Sequence, residues 1–138
     1  MGESPIDRVL AAMDALDADA VVALFAPDGC VLTVDGRRAE GSRALRALMA
    51  DGLATLRSAT HRVTAAWHED NVWIAEVDAT YELADGMRTG VLPRAVVLRE
   101  GAHGIADLRV YGAHEHPLAD HLSGEQGMRI GGRWLPPL

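Results

Sequence analysis

The chain has 138 residues, 49% of them hydrophobic, which is enough for one globular domain with its own core. Its formal net charge of −7, without a lysine/arginine stripe, argues against a nucleic-acid partner, because an acidic surface repels phosphate. No apolar run approaches the roughly 20 residues that cross a bilayer, and the single Cys30 excludes a disulfide framework. We therefore expect a cytoplasmic protein without a membrane partner.

Helical signals dominate the first part of the chain. Ser4, Pro5 and Asp7 form an N-terminal capping pattern, and apolar residues at helical spacing follow it. A second short helix is predicted over residues 19–25. The stretch "APDG" ends it, because proline and glycine interrupt helices.

A small hairpin and a third helix come next. "CVLTV" predicts a strand, "VDGR" a tight turn and "RRAEG" the returning strand. Ser42 is expected to cap the third helix. The apolar stripe of this helix consists of Leu45, Leu48, Met49, Leu53 and Leu56.

After Ser58 the apolar period changes from helical to two. Residues 61–68, 72–83, 90–100 and 105–112 alternate and are separated by short turns, which predicts an antiparallel meander. Three helices followed by such strands indicate an α+β domain with the helices on one face of the sheet. We assign residues 1–116 to this domain and residues 117–138 to a tail on the surface or against a partner subunit.

The segment "WIAEVDATYEL" has one apolar face and one acidic face. If the acidic face meets water, the strand belongs to the surface of an ordinary domain. If it lines a cavity, its carboxylates are candidates for a site. The pattern alone leaves both interpretations open.

The order of elements carries a family resemblance. "LDADAVVALFAPDGCVLTVDGRRAEGSRALRAL" resembles the N-terminal half of the nuclear transport factor 2-like superfamily, and "GIADLRVYG" resembles its last strand. This superfamily includes SnoaL-like polyketide cyclases, ketosteroid isomerase, limonene epoxide hydrolase and scytalone dehydratase. The resemblance implies a cone, in which a curved sheet wraps around three N-terminal helices and a pocket opens between them.

The resemblance also assigns faces and a partner. It implies that Glu76, Asp78 and Thr80 face the inside of the cone. It further implies a homodimer formed through the outer sheet face. The residues expected in that interface are Trp73, Val77, Tyr81, Arg109 and Tyr111.

The catalytic residues of the named enzymes map incompletely. Thr33, about Met13 and Val96 stand at the ketosteroid isomerase positions, and none can do that chemistry. Asp78 matches one aspartate of limonene epoxide hydrolase, but Glu76 replaces its arginine. The superfamily also contains proteins without activity, so fold alone does not decide function.

Asp78 is the main catalytic candidate, because a carboxylate in an apolar cone loses hydration and becomes a better base at neutral pH. The alternative is a carboxylate paired with a neighbour. An inward Arg94 would pair with Glu76 or Asp78, either to orient an anion or for purely structural reasons. His61 is a candidate proton partner or a structural histidine.

The remaining candidates line the expected pocket or lie outside it. The predicted substrate-binding residues are Glu76, Thr33, Trp67, Thr80, Val96 and Leu108. Asp107, Arg109 and Tyr111 are expected on the outer face as an ion-pair row. His114, Glu115, His116 and His121 match no standard zinc spacing, and no cofactor motif is present, so neither a metal nor a cofactor is expected. Cys30 is expected to be a small core residue.

The sequence thus favours an acid–base enzyme of isomerase, cyclase or hydratase/hydrolase type, acting on a small, largely apolar molecule. In this hypothesis Asp78 is the base, His61 its proton partner and Arg94 an orienter, so Asp78→Asn should abolish turnover. The alternative is a non-catalytic ligand-binding or dimeric association domain, which predicts a narrow or filled cone.

Overall fold

The computed structural model describes residues 4–112, in which three helices cover one face of a six-stranded sheet. The helices are α1 (Pro5–Asp14), α2 (Ala18–Ala23) and α3 (Ser42–Leu53). The strands are β1 (Phe25–Leu32), β2 (Arg38–Glu40), β3 (Leu56–Glu69), β4 (Val72–Leu83), β5 (Leu92–Gly101) and β6 (Gly104–Gly112). The predicted α+β class and its cone-like arrangement are confirmed.

The capping pattern of α1 forms as its sequence predicts. Ser4 Oγ accepts a hydrogen bond from the Asp7 backbone at 3.0 Å, and the Asp7 carboxylate accepts one from the Ser4 backbone at 3.1 Å. The cap predicted for α3 is wrong. Ser42 is already the first helical residue, and Gly41, with a φ of 88°, precedes it without a side-chain cap.

The stretch "APDG" lies inside β1 and does not separate a helix from a strand. The helix α2 ends at Ala23, earlier than predicted, and the strand begins at Phe25. Pairing between β1 and β6 is irregular between Phe25 and Cys30. Pro27 has no N–H for the ladder, so this part of the strand departs from regular pairing instead of ending it.

The strands follow the order β2-β1-β6-β5-β4-β3. The predicted meander from β3 to β6 is confirmed, since each of these strands pairs antiparallel with the next. A parallel pairing of β1 with β6, which the sequence did not indicate, joins the N-terminal hairpin to the meander. Register shifts that leave an extra residue in β3 and in β6 are bulges, which bend strands and help a sheet to curve.

The face of β4 that packs on the helices is its apolar one. Ala75, Val77 and Ala79 are at most 1% exposed, and Ala75 lies opposite the buried Val96 of β5. The predicted inward orientation of Glu76, Asp78 and Thr80 is therefore wrong, as is the outward orientation of Trp73, Val77 and Tyr81. The correction follows from the register: Val96 and Leu98 face the helices, and the residues of β4 paired with them must do the same.

Within residues 4–112, no helix is long and apolar enough to cross a membrane. The predicted tail, residues 117–138, and the cluster of His114, Glu115, His116 and His121 lie outside the described residues.

Candidate active site

A chain of polar side chains crosses the inner face of the sheet where α1 meets β3 and β4. The side chain of His61 is only 4% exposed, and its Nδ1 lies 2.6 Å from Asp14 Oδ1. Its Nε2 lies 3.1 Å from the hydroxyl oxygen of Tyr81. With the Nδ1 proton directed at the carboxylate, Nε2 is free to accept the Tyr81 hydroxyl proton.

Secondary structure brings these three residues together. Asp14 is the last residue of α1, and its other carboxylate oxygen accepts the backbone N–H of His61 at 3.3 Å. In the β3–β4 register, His61 lies opposite Ala79 and Ala59 lies opposite Tyr81. His61 and Tyr81 are therefore diagonal neighbours on the same face, and their rings meet edge to face at 5.5 Å between centroids.

Arg94 joins this chain from β5. It is 9% exposed, lies opposite Val77 on the inner face and hydrogen-bonds to the Tyr81 hydroxyl. Burial raises the pKa of Tyr81 above its ordinary value of 10.0, while the charge and hydrogen bond of Arg94 act in the opposite direction. Tyr81 is thus a neutral phenol at pH 7, beside a cation that would stabilise its phenolate.

A small cavity of about 170 Å³ opens beside this chain, between α1, α3 and the sheet. Its lining is mostly apolar and consists of Met13, Thr33, Arg37, Leu48, Met49, Gly52, Leu53, Leu56 and Tyr81. Tyr81 belongs both to this wall and to the polar chain. Tyr81 is therefore the residue through which a proton can pass between the buried His61 and a molecule bound in the cavity.

The hairpin between β1 and β2 supplies the polar part of the wall. Arg37 Nε donates to Asp35 Oδ2 at 3.0 Å, and the Arg37 side chain is 50% exposed. The Thr33 hydroxyl donates to the same carboxylate, and this hydrogen bond, together with the charge of Arg37, lowers the pKa of Asp35. The hairpin thus places a cation beside the cavity while its acid stays ionised.

The predicted catalytic residues divide between the two faces of the sheet. His61 and Arg94 lie in the inner chain. Asp78 lies on the outer face, where its carboxylate accepts a hydrogen bond from Arg62 Nη2 at 3.0 Å. The expected pairing of Arg94 with Glu76 or Asp78 is wrong, because the sheet separates them.

The predicted substrate-binding residues are also dispersed. Thr33 lines the cavity as expected. Val96 and Leu108 face inward but are packed in the filled core, at 4% and 3% exposure. Glu76 and Thr80 are on the outer face of β4, away from this cavity.

Trp67 lies on the outer face because of a bulge. It has the same strand parity as His61, which suggested a pocket position. The register shift between Val63 and Ala65 reverses that parity, so Trp67 pairs with the exposed Ile74 and is itself 54% exposed.

Sequence reasoning missed Asp14 and Tyr81 as site residues. The available signal for Tyr81 was its position on one face with the small residues Ala75, Val77 and Ala79, which suit a strand packed closely against helices. Asp14 could be linked to His61 only by knowing how α1 packs on β3.

The outer face carries the predicted ion-pair row around Asp107. Its carboxylate accepts hydrogen bonds from Cys30 Sγ at 2.9 Å and from Arg109 Nε at 3.0 Å. These bonds lower the pKa of Asp107 although burial opposes them. The bond to Asp107, with partial burial, raises the pKa of Cys30 to about 11, so Cys30 is a partner of this row and not an apolar core residue.

In the part of the chain that the structure describes, no three His, Cys, Asp or Glu residues group to hold a metal ion.

Comparison with known proteins identifies the fold. The SnoaL-like domain family matches residues 6–110. Among solved structures, a hypothetical protein with a ketosteroid isomerase-like fold from Catenulispora acidiphila, in complex with trimethylamine, has 19% identity and a TM-score of 0.73; the match covers 99% of this chain and 100% of the other. An LEH-like epoxide hydrolase from M. tuberculosis has 16% identity and a TM-score of 0.67, covering 79% and 80%. A nuclear transport factor 2-like protein of unknown function from Exiguobacterium sp. 255-15 has 15% identity and a TM-score of 0.67, covering 81% and 100%.

At these identities the likeness establishes the fold alone. The comparison with curated proteins finds no match.

Proposed function

Because the chain belongs to the SnoaL-like domain family, we propose that it is an acid–base enzyme acting on a small, largely apolar molecule in the cavity beside Tyr81. Its reaction would be of isomerase, cyclase or hydratase/hydrolase type. The observation that supports this proposal best is the Asp14–His61–Tyr81 chain, whose last member forms part of the cavity wall.

The hydrogen-bonded side chains of Asp14, His61 and Tyr81 are suited to moving one proton in either direction. In the proposed reaction, His61 Nε2 takes the proton of the Tyr81 hydroxyl, and Arg94 stabilises the phenolate. The phenolate oxygen then removes a proton from the substrate, while Asp14 stabilises the imidazolium. Tyr81, which now carries the substrate's proton, protonates the product at another atom, and His61 then returns its proton to the Tyr81 phenolate, so the protein ends unchanged.

Turnover of a compound panel tests this proposal. Small cyclic enones, epoxides and lactones would be incubated with the protein in deuterated water and followed by proton NMR. We expect turnover or deuterium exchange with at least one compound, and Tyr81→Phe should lower its rate by about 10²–10⁴-fold. Tyr111→Phe is the matched control, since Tyr111 is on the outer face and 44% exposed. Equal rates in wild type and Tyr81→Phe would reject the assignment.

A non-catalytic ligand-binding domain is the second candidate function. The small size of the cavity favours it. The hydrogen bonds of His61 to Asp14 and Tyr81 favour it too, because a buried histidine with both ring nitrogens hydrogen-bonded also has a structural role. In this case a ligand would bind saturably without any change in its NMR spectrum over time.

We also propose that the protein forms a homodimer through the outer sheet face. The interface residues differ from those expected, because Trp73, Val77 and Tyr81 face inward. Trp67, Ile74 and Tyr111 are between 39% and 54% exposed on that face, next to Arg109, and large exposed apolar groups favour association. Sedimentation velocity should give a dimer for the wild type and a monomer for Trp67→Arg/Ile74→Asp.

A further inference from the structure

Gly52 has no local structural reason to be a glycine. It is the next-to-last residue of α3, and its φ is not positive, so the backbone conformation does not require a glycine. A Cβ atom built on it would meet no atom within 4 Å, so packing does not require it either. The visible consequence of this residue is the open cavity wall that it lines.

The volume of the cavity limits what can enter. A cavity of about 150 Å³ holds one benzene ring. The cavity beside Gly52 measures about 170 Å³, so it has room for one six-membered ring or a branched chain of similar size. Two fused rings would not fit without displacing α3 side chains such as Leu48 or Leu53.

The charge at the wall favours one class of substituent. Arg37 uses Nε for Asp35, and among residues 4–112 its two terminal nitrogens have no hydrogen-bond partner. These two N–H groups can bind a carboxylate or a similar anion side by side. Because the Arg37 side chain is half exposed, the anion would stay in contact with water while the ring enters the apolar part of the cavity.

We propose that the cavity binds a single-ring, apolar molecule with one anionic substituent, and that Gly52 sets its size limit and Arg37 selects its charge. This inference rests on the proposed function only in placing the reacting end of the molecule next to Tyr81.

Three probes of known size and charge test the proposal. Benzoate has one ring and one negative charge, benzamide has the same shape without charge, and 1-naphthoate has two rings. Affinities are measured by isothermal titration calorimetry. Binding is located in protein labelled with ¹³C at the methionine methyl groups, since Met13 and Met49 line the cavity while Met87 is 63% exposed elsewhere.

We expect benzoate to bind at least about fivefold more tightly than benzamide, as one partly hydrated charge-assisted contact would give. It should shift the Met13 and Met49 signals but not that of Met87. We expect no binding of 1-naphthoate. Equal affinities for benzoate and benzamide, equal affinity for 1-naphthoate, or no binding of benzoate would overturn the proposal.

Two variants test the assigned residues. Arg37→Gln should remove the difference between benzoate and benzamide, and Gly52→Leu should abolish binding of both. Ala50→Leu, at an exposed position of the same helix, is the matched control and should bind as the wild type does. If Gly52→Leu, folded by circular dichroism, still binds benzoate with wild-type affinity, the size limit is not at Gly52.

The catalytic role of Tyr81 and the proposed ligand class can be rejected separately. If the probes bind as expected but Tyr81→Phe leaves turnover of every compound unchanged, the catalytic role of Tyr81 is wrong and the ligand class stands. If Tyr81→Phe abolishes turnover but benzoate shows no preference over benzamide, the ligand class is wrong and the catalytic role stands.

Discussion

Val77 and Arg94 are direct partners across strands β4 and β5, and both are buried on the face of the sheet that packs against the helices. This pairing fixes the orientation of every residue of β4, because strand side chains alternate. It places the apolar set of β4 inside and Glu76 and Asp78 outside.

Residues on opposite faces of β4 should therefore respond very differently to substitution. Ala75→Asp would place an unpaired carboxylate opposite the buried Val96, at a position that is 1% exposed, which costs several kcal/mol and is a large part of the stability of a small domain. Asp78→Val removes only a partly exposed pair with Arg62 and should change the free energy of unfolding by about 1 kcal/mol or less. Urea denaturation followed by circular dichroism measures both. A larger loss for Asp78→Val would mean that the face assignment is wrong.

The sequence predicts correctly those features that depend on residues close together in the chain. The capping box of α1 depends on contacts three residues apart, and the turns of the meander are equally local, so both were predicted correctly. The inward faces of β5 and β6 followed from their apolar runs. The faces of β4 depend on which residue pairs with Val96 across the sheet, and the resemblance assigned the acidic face inward against that pairing.

The candidate site was predicted only in part, because some of its contacts join residues that are far apart in the sequence. His61 and Arg94 stood out as polar residues on apolar strands. The bulge in β3, which moves Trp67 outward, leaves no local mark in "HRVTAAWH". The contact of Asp14 with His61 joins residues 47 apart, so it follows from helix packing and not from a motif.

The contact between Asp14 and His61 should be strongly coupled. Asp14→Ala leaves the buried Nδ1–H of His61 without its acceptor and should cost about 1–3 kcal/mol of unfolding free energy. A double-mutant cycle with His61→Leu should give a coupling of about 0.5–3 kcal/mol. Asp19→Ala, which removes an exposed pair with Arg46, is the control and should cost about 1 kcal/mol or less. Additive effects of the two inner substitutions would contradict the proposed chain.

Tyr81 should titrate at unusually high pH. In a Tyr111→Phe background, Tyr81 is the only tyrosine, and its absorbance at 295 nm should change with a midpoint above 10.0. Arg94→Met removes a nearby positive charge and should move that midpoint higher still. Because the folded-state pKa is raised, the neutral phenol contributes stability below pH 10 that is lost as the pH rises through the midpoint. A lower midpoint in Arg94→Met would show that Arg94 does not act on the phenol.

Cys30 should be a slow nucleophile until strongly alkaline pH. The hydrogen bond to Asp107, burial and the nearby carboxylate charges raise its pKa from 9.0 to about 11, so the rate of alkylation by iodoacetamide should follow an apparent pKa near that value. The raised pKa also means that the thiol contributes stability below pH 9.0, which is lost as the pH approaches 11.

Asp107→Asn should lower the apparent pKa of Cys30 and raise the alkylation rate at pH 8 by about tenfold or more, since each pKa unit changes the thiolate fraction tenfold. The control is Asp78→Asn, which changes a different carboxylate of the outer face and should leave the rate unaltered. A wild-type profile centred near 9.0, or an equal effect of both substitutions, would show that the Cys30–Asp107 hydrogen bond does not hold the proton on the thiol.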